Sequence, residues 1–268
     1  MTNSKTFSGK PAKSKLGTMN SKSVLAVLLG MALMSQALAG NTVVLLHGLA
    51  RSSGSMSKIE VALQKAGFST CNIGYPSTKY PIERIAEQFV VPEIQKCVKP
   101  GGAVSFVTHS MGGIIVRHIR RAEPGIQFGR VVMLGPPNHG SELVDHMRGW
   151  SLFQWVNGPA GQQLGTEAGS FPNRLGAASF EAGIIAGNKP FLEPFTSYIG
   201  SPSDGKVSLE SAKLDGMKDY LVLPVTHSLM MRNEQVIKQT VSFLNNGHFV
   251  RPVVPNSLQA DPSEGPAL

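Results

Sequence analysis

The run Val104-Ser105-Phe106-Val107-Thr108-His109-Ser110-Met111-Gly112-Gly113 places a serine where an apolar segment gives way to small residues. A serine hydroxyl at such a point becomes a usable nucleophile if the turn is sharp enough to lift it clear of a sheet. Small residues two before and two after the serine permit that turn. Gly112 fills the second small position. Thr108 stands where the first glycine is expected, and its branched Cβ requires that the neighbouring strand leave it room. The plainer alternative is an ordinary strand-to-helix turn with Ser110 near the helix N-terminus. A second stretch, Val43-Val44-Leu45-Leu46-His47-Gly48-Leu49, ends an apolar run in His-Gly. Glycine lets backbone approach closely, and the following N–H can then point into a cavity. Acyl transfer develops negative charge on a carbonyl oxygen, and losing one fixed donor to it costs about 3–4 kcal/mol. The backbone amides of Leu49 and Met111 are the candidate oxyanion pair, the second at a helix N-terminus that favours an anion. His47, Gly48 and His109 are expected to border the substrate.

Together with Ser203-Asp204-Gly205 and Thr226-His227, these residues resemble the α/β-hydrolase superfamily in its bacterial lipase/esterase branch, triacylglycerol lipase-like, over roughly residues 42–246. In that superfamily the partners follow the serine in the order Ser, Asp or Glu, His. Of His118, His139, His146, His227 and His248, only His227 directly follows the final predicted strand, where a loop can carry an imidazole over the sheet. His118 is expected to face solvent beside Arg117, Arg120 and Arg121. Of Asp145, Asp204, Asp215, Asp219 and Asp261, the resemblance favours Asp204, with Glu210 as the nearest competitor. Asp215 and Asp219 read as solvated loop charges. An N-cap role for Asp204, on a helix starting near residue 207, is the simpler alternative. The implied mechanism is nucleophilic attack by Ser110, general-base help from His227 and orientation by Asp204, through an acyl-enzyme. It needs no metal or organic cofactor.

The elements that must position these groups alternate. Apolar runs at 42–46, 68–73, 103–107, 130–134, 182–186 and 220–225 read as strands. Helix-period segments at 53–66, from Pro81 to Cys97, at 111–121 and at 233–244 read as helices. The pattern predicts an α/β fold with a mainly parallel, doubly wound sheet and a small cap insertion. Pro224 cannot donate to a ladder, so the last strand should be an edge or end early.

Residues 139–180 break the rhythm as a long, glycine-rich, aromatic insert. It contains Leu143, Val144, Met147, Trp150, Leu152, Phe153, Trp155 and Val156. A long loop of this kind reads as a lid over an acyl chain, with Trp150, Phe153 and Trp155 on the substrate. Plain core packing is the alternative. Asn138-His139-Gly140-Ser141 resembles the stretch before the cap in bacterial lipases. Residues 247–268 are proline-rich and read as a loose tail.

The chain has 268 residues, 41% hydrophobic and 16% charged, which is enough apolar material for a sizeable core. Its formal charge of +8 is concentrated at the front: removing the five lysines of residues 1–39 leaves +3, which takes away the main support for nucleic-acid binding. Residues 24–34 are apolar, follow that basic segment and precede Ala37-Leu38-Ala39. This is the pattern of a secretory signal peptide cleaved after Ala39, with an uncleaved membrane anchor as the rival. Cys71 and Cys97 either pair, as export would allow, or are two small buried side chains. The expected organisation is a leader at 1–39, a hydrolase domain at 40–246 and a tail at 247–268. The expected function is an exported carboxylic ester hydrolase acting on small-molecule or lipid esters, with possible lipid-surface contact through the lid. A thioesterase or acyltransferase using the same site is the first alternative. A non-catalytic ligand-binding protein or a peptide hydrolase would be of another class.

Overall fold

The computed structural model describes residues 42–99, 101–190, 198–199 and 202–251. The leader at 1–39 and the tail from residue 252 lie outside the described residues. Six strands form one sheet: β1 (Thr42–Leu46), β2 (Ser69–Ile73), β3 (Val104–His109), β4 (Phe128–Leu134), β5 (Ala182–Gly187) and β6 (Asp219–Leu223). Their order is β2-β1-β3-β4-β5-β6, and every pairing is parallel. The expectation of a mainly parallel sheet is met by one wholly parallel among the described strands. Strand β6 is an edge, and it ends at Leu223, just before Pro224.

Both faces of the sheet are covered, so its inner strands read as continuous apolar runs. Side chains alternate between the faces. Val43, Leu45, Val107 and Val132 pack with Met56, Ile59 and Leu63 and with Phe243. Ile59 and Leu63 lie on α1 (Ser57–Lys65), after a 3₁₀ turn at Ser53–Met56. Phe243 lies on the C-terminal helix Glu234–Asn246, which Asn233 caps through its Oδ1. Val44, Leu46 and Phe106 face the other way, onto Ile82, Ile85, Ile94 and Ile114. These belong to α2 (Ile82–Ile85), α3 (Val91–Cys97) and α4 (Met111–Ala122), with a π-helical segment at Ala86–Val90 between the first two. The chain leaves β1 toward β2 on one side and returns to β3 on the other. The C-terminal ends of β1 and β3 therefore flank the point where strand order reverses, where such sheets bind ligands.

Four sequence expectations need correction. The insert is helical: α5 (Glu142–Met147), α6 (Ser151–Gln162) and α7 (Phe171–Arg174) lie within it. Its periodicity is hidden because the helices are short and α6 is kinked at Gly158, before Pro159. The tail is not loose at its start. Phe249 is buried against Phe243, and Arg251 pairs with Asp219 at 2.6 Å. Asp219 is thus a paired residue at the start of β6, not a solvated loop charge. Cys71 on β2 and Cys97 at the end of α3 form a disulfide with Cα atoms 6.1 Å apart. Their sequence separation is 26 residues, and closing a loop of that length is worth about 3.5 kcal/mol in the chain-entropy account. Among the described residues no helix is long and apolar enough to cross a membrane.

The fourth correction concerns α4. His118 does not face open solvent, because its side chain is 14% exposed with Nε2 2.9 Å from Glu87. Its neighbour Arg117 is buried. Arg117 donates to the carbonyls of Asn138 (2.8 Å), Pro172 (2.9 Å) and Gly176 (2.7 Å), and to Asn138 Oδ1 at 3.2 Å. Burial pulls its pKa down to about 10, so it stays charged at neutral pH. The carbonyls replace its lost hydration, and together they fasten both ends of the insert to α4. Arg117→Met is expected to leave those acceptors unpaired and cost about 3 kcal/mol, read as a lower urea midpoint.

Candidate active site

Strand β3 runs straight to His109, and α4 begins at Met111, so Ser110 alone makes the turn. Its backbone sits at φ 53° and ψ −124°. An L-residue in such a conformation carries about 1–3 kcal/mol of strain and persists only where its surroundings over-determine it. Here the Ser110 N–H donates to Leu134 at 2.8 Å, and the Ser110 carbonyl accepts from Gly113 at 2.9 Å. A Cβ on Gly112 would stand 2.7 Å from the Leu46 carbonyl oxygen, so glycine is what lets α4 close onto β1. The room that Thr108 needs comes from Gly113, whose missing Cβ would lie 3.4 Å from Thr108 Oγ1.

The structure brings Ser110, His227 and Asp204 together. His227 Nε2 is 3.0 Å from Ser110 Oγ, and His227 Nδ1 is 2.7 Å from Asp204 Oδ2. A carboxylate only accepts, so Nδ1 carries the proton and Nε2 presents a lone pair to the hydroxyl. Asp204 is buried, and its other oxygen accepts from the Lys206 (3.0 Å) and Val207 (2.9 Å) amides. Asp204 thus holds a turn with one oxygen and meets His227 with the other, and it is not the N-cap of a helix. The following helix, α8 (Leu209–Ala212), has Ser208 as its own cap. His227 lies on a 3₁₀ turn (His227–Arg232), with its N–H donating to the Asp204 carbonyl at 2.9 Å. The competitors lie elsewhere: Glu210 pairs with Lys213, Asp145 accepts from Thr166, and His139 contacts Asn173.

His109 borders the same cavity and donates from Nε2 to the His227 carbonyl at 2.9 Å. Burial holds its pKa well below the ordinary value, helped by the nearby His227, Arg51 and Lys206. His47 does not border the cavity. It is buried behind the turn, donating from Nδ1 to the Gly48 carbonyl and accepting the Tyr75 N–H at Nε2. The Tyr75 ring stacks on it at 3.9 Å, and the Tyr75 hydroxyl donates to the His47 carbonyl. Burial lowers the His47 pKa as well. Gly48 serves close approach: a Cβ there would stand 2.8 Å from His109 Nδ1. Both residues position the turn that leads to Leu49, where the notion of direct substrate contact had placed them on the cavity wall.

A cavity of about 460 Å³ opens over Ser110. Its apolar wall is Leu49, Leu143, Val144, Met147, Phe153, Val156 and Leu164. Phe153 is thus where the sequence puts it. Trp150 and Trp155 are not: they are 55% and 82% exposed on the outer side of the insert. Composition shows that a segment is apolar but not which side of a short helix faces in. Sequence reasoning also missed Arg51, Ser141 and Lys206 on the cavity. Proximity to Leu49 and Asp204 was the available signal for the two cations. The Met111 amide opens α4 and so has no intrahelical acceptor; Leu49 lines the cavity, whereas Met111 is buried behind Ser110 and does not.

No protein-family model matches the sequence, and comparison with curated proteins finds no match. Solved structures do match. Bacillus licheniformis lipase BlEst2 in its propeptide form superposes with a TM-score of 0.64 at 18% identity, covering 80% of this chain and 52% of that one. The chain therefore spans about half the length of that relative. Its mature form gives 0.56 at 21% identity, covering 76% and 89%. Staphylococcus hyicus lipase gives 0.54 at 15% identity, covering 77% and 93%. The metagenomic carboxyl esterase MGS0156 gives 0.58 at 18% identity, covering 70% and 65%. At these identities the likeness establishes the fold, and the fold is that of the α/β-hydrolases.

His47 and His109 share a consequence for pH. Both have folded pKa values below the unfolded value near 6.5. Below that pH the unfolded chain binds protons that the folded chain does not. Their contribution is complete above about pH 6.5 and is lost as pH falls. Denaturant midpoints are expected to decline from neutral pH toward pH 5, and His109→Asn should flatten that slope.

Proposed function

We propose that the protein is a carboxylic ester hydrolase of the lipase/esterase kind, working through an acyl-enzyme on Ser110. One observation carries this reading: the hydrogen-bonded series from buried Asp204 through His227 to Ser110, at a strained turn opening into an apolar cavity. Lipases and carboxyl esterases among the structural neighbours support it. Ser110 Oγ attacks the ester carbonyl carbon while His227 Nε2 takes its proton. Asp204 keeps the imidazole in the required tautomer and stabilises the imidazolium. The Leu49 and Met111 amides receive the oxyanion. The tetrahedral intermediate expels the alcohol, which leaves with the proton from His227. Water, deprotonated by His227, then attacks the acyl-enzyme and releases the acid and the free serine.

In this reading the apolar wall of α5 and α6 takes the acyl chain. The exposed Trp150, Leu152 and Trp155 face outward, where they can meet a lipid surface. Ser110→Ala is expected to lower kcat for p-nitrophenyl esters by about 10⁵- to 10⁶-fold, and Asp204→Asn by about 10⁴-fold. The acetate-to-palmitate series gives the preferred chain length, and tributyrin above and below its solubility reports the outward face. Folded protein without turnover of any ester would overturn the reading.

Export belongs to the same proposal. A leader at residues 1–39 and the Cys71–Cys97 pair both suit an oxidising compartment. N-terminal sequencing of the exported protein is expected to begin at Gly40, and an intact leader on a membrane fraction would replace this with the anchored form.

A further inference from the structure

Two cations border the cavity that the serine chemistry does not use. Arg51 follows the Leu49 turn and Lys206 follows Asp204, and both share the cavity with Ser110. Among the described residues neither side chain is held by an ion pair or hydrogen bond, whereas Arg117, Arg130, Arg148, Lys213, Lys218 and Arg251 are all partnered. The nearest carboxylate, Asp204, is buried and has both oxygens committed to His227 and to backbone amides. Lys206 has a lowered pKa, through the surrounding protein first and then Arg51, with Asp204 opposing. Arg51 and Lys206 also both act on His109. Two like charges therefore line the cavity of Ser110, and among the described residues no uncommitted carboxylate lines it with them. The insert contributes Leu143, Met147, Phe153 and Val156 to the same lining, all apolar. The cavity therefore combines two cations with a hydrocarbon surface.

We propose that the site selects esters carrying an anionic group, a carboxylate or phosphate, close to the scissile bond. The anion rests between Arg51 and Lys206, and the hydrocarbon rests on the α5–α6 wall. This rests on the ester-hydrolase reading above. Solvent-exposed ion pairs are individually weak, so the expected preference is about three- to tenfold in kcat/KM. It should shrink as ionic strength rises.

The test compares matched charged and neutral esters with the full protein. The pair 3-carboxyphenyl hexanoate and 3-carbamoylphenyl hexanoate puts the charge on the leaving group. Monophenyl adipate and the phenyl ester of adipamic acid put it on the acyl side. A preference for the charged member of either pair supports the proposal and says which end of the ester bears the anion. The ratio should fall to about one in R51Q/K206Q and survive in R51K/K206R. A ratio near one in the native protein for both pairs overturns the proposal. So does a ratio unchanged in R51Q/K206Q. In either of these two outcomes, esters that turn over and lose that turnover in Ser110→Ala leave the hydrolase reading standing while the anion preference fails. No turnover of any of the probes overturns both.

Discussion

The backbone of Ser110 occupies a conformation that an L-residue enters only at a cost, and the rest of the molecule is arranged to hold it there. The turn exists because β3 and α4 are joined by one residue with φ 53°. It closes because Gly112 lets the helix lie against the Leu46 and His47 carbonyls, and because Gly113 leaves space for Thr108. It is held in register by a bond to Leu134 on the neighbouring strand. The parallel sheet, buried on both faces, supplies the stiffness. A hydroxyl raised on such a turn is in position before any ligand arrives, so little ordering remains for the reacting complex.

Around this turn the polar groups divide by burial. His47, His109 and Tyr75 are enclosed and hydrogen-bond to backbone groups, and burial favours their neutral forms. Asp204 is enclosed as well, and its charge is met on both oxygens. Arg51 and Lys206 stay at the rim, where water still reaches them. Charge is thus kept where it can be hydrated or fully partnered, which is what the cost of desolvation requires.

What could be read in the sequence follows how local each signal is. Strands β1 and β3 and the serine turn are contiguous apolar runs ending in small residues, so one window of sequence contains them. Asp204 and His227 lie far from Ser110 along the chain; they were legible only through the order of residues that the resemblance supplied. The helices of the insert were not legible, because Gly158 and Pro159 interrupt one and the others span barely a turn or two. Trp150 and Trp155 were placed inward because hydropathy carries no direction. Arg117 was grouped with its solvent-facing neighbours because the carbonyls that surround it come from residues 138, 172 and 176, which only folding brings near.

That guanidinium has a further meaning for how the molecule varies. Its acceptors sit at the entrance to the insert and at its exit, so the two ends of the segment are clamped to one point of α4. A loop whose ends are already fixed pays only a slowly growing, logarithmic entropy for added length. Between the clamped ends the stretch carries both core residues, Val144, Ala160 and Leu164, and an exposed side, Trp150, Leu152 and Trp155, so changes on that exposed side put little strain on the sheet or the serine turn. The apolar residues that the insert adds to the cavity, Leu143, Met147, Phe153 and Val156 among them, thus sit on a different segment from the Ser110 turn. The lining can then change while the geometry of the turn stays where it is.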